Sequence, residues 1–271
     1  MTTGRTGLRH NRAVRTHRAR PLPMPDAPPD TAPLLTLDGP RATIRLNRPS
    51  QHNRIDPDDI PVIEAHLDAA QASPAIRAVV FAGSGPRTFS SGYTLQAIIE
   101  RLDERALERL LDRVEHLPLP TIAAIHGGVY GGATDLALCC DLRIGVPACR
   151  MFMPAARFAL HYYPGGMRRY VDRLGHAAAA KLFLTAEPIE ADEMLRIGML
   201  TDLVSPDALG DTVARYVQAF SANDATAMAT MKRSLGELAG QRAEPAVLER
   251  RYLDSLASPG LRERLARRLD S

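Results

Sequence analysis

Beyond residue 34 the apolar residues change period again and again, and this alternation restricts the chain more than any other feature of its sequence. Ala42, Ile44 and Leu46 alternate with Thr43 and Arg45 as in a half-buried strand, Ile60, Ile63, Leu67 and Ala70 recur at helical spacing, and residues 78–82 form a short apolar run. Strand, helix and strand in succession predict a layered α/β core. Leu107, Leu110, Leu111 and Val114 mark a further helix, closed by Pro118 and Pro120 before an apolar strand over 121–125; another helix opens after Gly131 and Gly132. From about Gly165 the pattern is helical throughout, with segments expected at 166–174, 177–184, 190–196, 206–219, 224–239, 243–256 and 260–269. The reading is therefore an α/β core over 34–204 and an α-helical region over 205–271, without internal repeats.

With 271 residues and 45% hydrophobic content, the chain can bury a substantial core. The richest apolar stretch, 121–138, is broken by His126, glycines and Asp135, so no membrane span is expected. The net charge of +3 is concentrated at one end: residues 1–30 carry six Arg against Asp26 and Asp30, a local balance of +4, which leaves −1 for the rest. A basic segment of this kind can serve nucleic acid, acidic membranes or import. Residues 1–33 also hold six prolines and few large apolar side chains, so a disordered tail is expected, with Met24 as an alternative start. Cys139, Cys140 and Cys149 are odd in number and clustered, which fits reduced core residues and a cytoplasmic setting, with no metal site expected.

Two glycine-containing loops follow apolar stretches: Phe89-Ser90-Ser91-Gly92-Tyr93, and His126-Gly127-Gly128-Val129-Tyr130-Gly131-Gly132 leading to Asp135. Glycine permits close backbone approach, and a helix starting near Gly132 would direct the positive end of its dipole at a developing oxyanion. Neither loop has the spacing or the lysine of a nucleotide-binding loop.

Taken in order, Arg48-Pro49 with Asn53, then Phe89 to Tyr93, then Pro120 through Gly132, Asp141-Leu142-Arg143-Ile144 and the stretch from Leu184 to Ile189 resemble the motif set of the enoyl-CoA hydratase/isomerase (crotonase) superfamily. The similarity runs from about residue 34 to 268. It implies a crotonase-like fold of repeated β-β-α units with a C-terminal helical trimerisation region, a homotrimer or dimer of trimers, and an acyl-CoA substrate, coenzyme A being part of that substrate and no separate cofactor being needed. By motif position it implies an oxyanion hole from the backbone amides of Tyr93 and Gly132, and an acyl pocket formed by Tyr130, Ala155, Tyr162 and Tyr163. It also implies a CoA-binding role for Lys232 and Arg233.

Two positions depart from the family pattern. Hydratases of the superfamily carry carboxylates where this chain has Asp135 and Ala155, and a pair is needed to hold and activate one water. Asp135, three residues after Gly132, is expected to stand near the thioester Cα as the main catalytic group, with His161 as a second candidate because imidazole exchanges protons near neutrality. The run from Gly128 to Ala133, Met153-Pro154-Ala155 and residues 231–235 are similar to methylmalonyl-CoA decarboxylases, which also place an apolar residue at the second position. Three readings follow: an enoyl-CoA hydratase/isomerase-type lyase or isomerase working through a thioester enolate, an acyl-CoA decarboxylase, or a non-catalytic CoA- or RNA-binding relative. Nucleic acid and membrane are not expected as partners.

Overall fold

The computed structural model describes residues 30–100 and 105–269. Its ten strands are β1 (Leu34–Asp38), β2 (Arg41–Leu46), β3 (Ala78–Gly83), β4 (Thr88–Ser90), β5 (Thr121–Ile125), β6 (Gly128–Tyr130), β7 (Leu142–Gly145), β8 (Arg150–Phe152), β9 (Ile189–Glu190) and β10 (Asp202–Leu203). The helices up to the sheet's last crossover are α1 (Asp59–Ala72), α2 (Leu95–Glu100), α3 (Ala106–Glu115), α4 (Gly132–Cys139), α5 (Pro164–Leu174), α6 (His176–Thr185) and α7 (Ala191–Arg196). Four more close the described chain: α8 (Leu209–Ala222), α9 (Ala225–Ala239), α10 (Pro245–Ala257) and α11 (Pro259–Leu269).

Six strands form the main sheet in the order β1-β2-β3-β5-β7-β10, parallel except for the β1–β2 hairpin. β3 and β5 are buried along their whole length, which explains why both read as unbroken apolar runs: a central parallel strand is covered on both faces. Alternate residues serve two cores. Val79 and Phe81 face a large cluster with Ile63 and Leu67 of α1, Leu110 and Val114 of α3 and Leu136 of α4. Ala78 and Val80 face a smaller one closed by Val213 and Val217 of α8.

The second sheet, β4-β6-β8-β9, is built from strands of two or three residues. Periodicity does not mark strands this short, so this sheet is a structural addition to the sequence reading. Residues 30–33, assigned to the tail by composition, are held by the domain: Asn47 Nδ2 donates to Thr31 Oγ1 at 2.7 Å, and a His66 ring nitrogen lies 2.9 Å from Pro33 O. The rest of the basic segment lies outside the described residues.

The helical region divides into two parts. α8 covers the main sheet, whereas α9 and α10 bury no residue and expose Met231, Leu235, Leu238, Tyr252, Leu253 and Leu256. Among the described residues no helix is long and apolar enough to cross a membrane.

Candidate active site

β4 and β6 run parallel, with Thr88 opposite Gly128 and Ser90 opposite Val129, so the two glycine loops leave the small sheet side by side. The first loop is clamped from behind. Asn53, buried at φ 53°, donates from Nδ2 to Ser84 O and Thr88 O, both at 2.7 Å, and its Oδ1 accepts from the Arg48 N–H at 3.1 Å. That is the structural work of the Arg48-Pro49 and Asn53 motif. Ser90 Oγ donates to Asn53 O and receives the Gly92 N–H, while the Ile55 N–H donates to Gly92 O and the Thr94 N–H to Ile55 O. Tyr93 is thereby fixed against residue 55.

Gly92 is required where it stands. Its φ is +88°, and a Cβ there would fall 2.6 Å from Tyr130 O and 2.7 Å from Gly132 N. A Cβ on Gly132 would in turn be 3.4 Å from Tyr93 N, so the two peptide nitrogens, 39 positions apart in sequence, are spatial neighbours at the start of α4. Tyr93 and Gly132 both line a cavity of about 650 Å³, a size suited to a small organic ligand. Its other walls include Tyr130, Phe152, Ala155, Phe158 and Leu160, together with His161, Tyr162 and Tyr163. The sequence reading's pocket residues are therefore assembled around one space.

Asp135 stands behind that wall. It is fully buried in α4 and is absent from the cavity lining. Its Oδ1 accepts from Arg169 Nε at 2.8 Å, and its Oδ2 accepts from Arg169 Nη2 at 3.1 Å, from the Tyr162 hydroxyl at 3.3 Å and from the Tyr163 hydroxyl. Arg169, also fully buried, reaches onward to Asp112 at 2.7 Å and Glu115 at 3.0 Å. Burial works against the charge on Glu115, but Arg168 and Arg169 outweigh it and hold its carboxyl below the ordinary value. Burial, then the charge of Asp135, push the phenols of Tyr162 and Tyr163 well above theirs. Gly166 makes room for this cluster: a Cβ there would fall 2.3 Å from Tyr162 Cε1 and 2.8 Å from Asp135 Oδ2.

The family model described as enoyl-CoA hydratase/isomerase matches residues 41–256. The chain belongs to the enoyl-CoA hydratase/isomerase family. A short-chain-enoyl-CoA hydratase from Clostridium acetobutylicum is 27% identical over 208 residues, covering 74% of this chain and 80% of that one. An (E)-benzylidenesuccinyl-CoA hydratase from Thauera aromatica is 31% identical over 182 residues, covering 65% and 71%. The crystal structure of an enoyl-CoA hydratase from Shewanella pealeana superposes with a TM-score of 0.81 at 23% identity, over 89% of this chain and 94% of that one, a likeness of fold. The crotonase fold expected from the motifs is the fold observed.

Against the family pattern, the remaining candidates divide. Ala155 is buried in the cavity wall, where its methyl group supplies no proton-transfer group. His161 is exposed and lines the cavity. Lys232 and Arg233 line a different and larger cavity, between α9 and the start of β5: Lys232 pairs with Asp141 at 2.8 Å and donates to Leu119 O at 2.9 Å, and Arg233 pairs with Glu237 at 3.1 Å. Within one chain they do not meet Tyr93 and Gly132. Among the described residues no three His, Cys, Asp or Glu side chains gather as metal ligands do. The sequence reading missed Arg169, although Asp112 and Glu115, spaced for one face of α3, offered a signal. It also missed Glu108, the one carboxylate among the described lining residues, paired with Arg105 at 2.6 Å.

Proposed function

We propose that this protein converts an acyl-CoA thioester through an enolate whose oxygen is held by the backbone N–H groups of Tyr93 and Gly132. The observation that carries this reading is the placement of those two peptide nitrogens side by side on the wall of an aromatic cavity, at the positive end of α4. Preorganised donors of this kind lower a barrier by about 3 kcal/mol each. They act through the backbone, so the unusual tyrosine at 93 leaves the donor in place.

Among reactions that pass through such an enolate, hydration by two carboxylates has the least support, because Ala155 stands at one position and the oxygens of Asp135 are committed to Arg169 and two phenols. Loss of CO2 from a 2-carboxyacyl thioester has the most. It needs no base: the electrons of the breaking C–C bond become the enolate, and an apolar wall at Ala155 and Phe152 favours expelling a carboxylate over keeping it. The aromatic lining suits a branched or ring-bearing acyl group. Lys232 and Arg233 are proposed for the CoA end, and the exposed apolar faces of α9 and α10 are proposed to be covered in a trimer or dimer of trimers. Light scattering should then give a trimer or hexamer mass, and a micromolar monomer would contradict it.

The function is tested by incubating the full chain with crotonyl, branched enoyl, dienoyl and methylmalonyl thioesters of CoA and following mass. Loss of CO2 from the methylmalonyl thioester is expected. Gain of water by the crotonyl thioester at a higher rate would return the protein to the hydratases, and no conversion or binding of any of the four would remove the enzyme reading.

A further inference from the structure

Two members of the buried cluster around Asp135, Tyr162 and Tyr163, line the cavity and carry a transferable proton, and Tyr163 is the more open of the two. Tyr163 lines the cavity and is half-buried, while its hydroxyl sits inside the cluster, donating to Asp135 Oδ2 and accepting from Arg169 Nη2 at 3.3 Å. Tyr162 lies deeper, its ring 4.4 Å from that of Tyr163 and 5.6 Å from Phe183, and no guanidinium bonds to its hydroxyl among the hydrogen bonds of the described residues. We propose that Tyr163 is the catalytic acid that returns a proton to the enolate carbon, with Asp135 and Arg169 as positioning residues. The proposal rests on the enolate reading above and names the group that completes it.

The proton balance is closed. After the C–C bond to CO2 breaks, the enolate carbon takes the Tyr163 proton, a C–H bond forms, and the phenol O–H bond breaks. The phenolate left behind is met by the Arg169 guanidinium, already at hydrogen-bond distance, and regains a proton from water. An enolate carbon is a far stronger base than a phenolate, so transfer runs downhill even from a weakly acidic phenol. A phenol is protonated at neutral pH and so available as donor; burial and the Asp135 charge push this one well above its ordinary value, and the Arg169 charge works against that rise. Asp135 carries no proton to the substrate. It orients the phenol, as a carboxylate orients an imidazole in other proton-transfer sites.

The test compares Tyr163→Phe, Tyr162→Phe and Asp135→Asn in the full chain, with methylmalonyl-CoA as probe in D2O. The parent is expected to place deuterium at C2 of the product in one configuration. Tyr163→Phe should lower kcat by about 100-fold, hold KM near the parent's and deliver deuterium to both faces. Tyr162→Phe should keep the stereochemistry, and Asp135→Asn should lie between. Tyr163→Phe with parental rate and a single configuration would overturn the assignment while leaving the enolate reading intact. A parent that neither binds nor converts methylmalonyl-CoA or the other three thioesters overturns both.

Discussion

The two sides of the cavity solve different problems with different materials. On the Tyr93 and Gly132 side the proposed working groups are peptide N–H donors, set by strand register and by Gly92, where any Cβ would strike Tyr130 O and Gly132 N. On the Asp135, Ala155 and Tyr163 side the proposed groups are side chains, and Asp135 and Tyr163 are held by the buried Arg169 guanidinium. The backbone side tolerates side-chain drift because its donors are common to all residues. The side-chain side can change the reaction with one or two substitutions. On the proposed reading, the backbone side stabilises the enolate and the side-chain side decides what happens to it.

The largest loss is expected from the backbone side. Gly92→Ala forces a Cβ into Tyr130 O and Gly132 N and should separate the two donors, lowering kcat/KM for any thioester the protein converts by about 100-fold or more. Circular dichroism should show the fold retained, and an unchanged kcat/KM would mean the two loops do not act together. From the other side, Arg169→Met leaves the carboxylate of Asp135 buried without its cation. That should cost about 3–5 kcal/mol, read as a lower urea midpoint, whereas Asp135→Asn should lose less because it leaves no buried anion.

How much of this was legible beforehand follows the same division. α1, β3, α3 and β5 were visible because a central sheet and the helices that cover it need long, strict apolar periods. Strands β4 and β6 were not, since three residues carry no period, yet their pairing is what aligns the loops. The glycines at 92 and 132 were readable by motif. The Arg169 pairing was not: it joins α5 to α3 and α4 across 34 to 57 positions, and only the packed structure brings them together. The sequence suggested that Asp135 faces the thioester; in the fold its oxygens are bonded by Arg169, Tyr162 and Tyr163, and of these groups only the two tyrosines line the cavity.

A smaller effect sharpens the account of the cluster. Because Arg168 and Arg169 hold the Glu115 carboxyl below its ordinary value of 4.5, the folded protein takes up that proton at lower pH than the unfolded chain. The resulting stabilisation is complete above the ordinary value and is lost as pH falls through the lowered one. Melting temperature followed from pH 6 down should therefore drop less steeply in Glu115→Gln than in the parent, and identical slopes would show that the pair adds nothing. Smaller still, His161→Ala should leave kcat near the parent's, since the side chain is exposed and outside the cluster. A steep loss of rate in a stopped assay, with stereochemistry scrambled, would move the acid from Tyr163 to His161.

Whether Tyr93 and Gly132 hold the thioester oxygen is read by carbon-13 NMR of crotonyl-CoA labelled at the carbonyl and bound to the full chain. Two hydrogen bonds to that oxygen should polarise the carbonyl and move its resonance downfield on binding, and Gly92→Ala should reverse the shift; a bound thioester whose carbonyl resonates where it does in water would contradict the account.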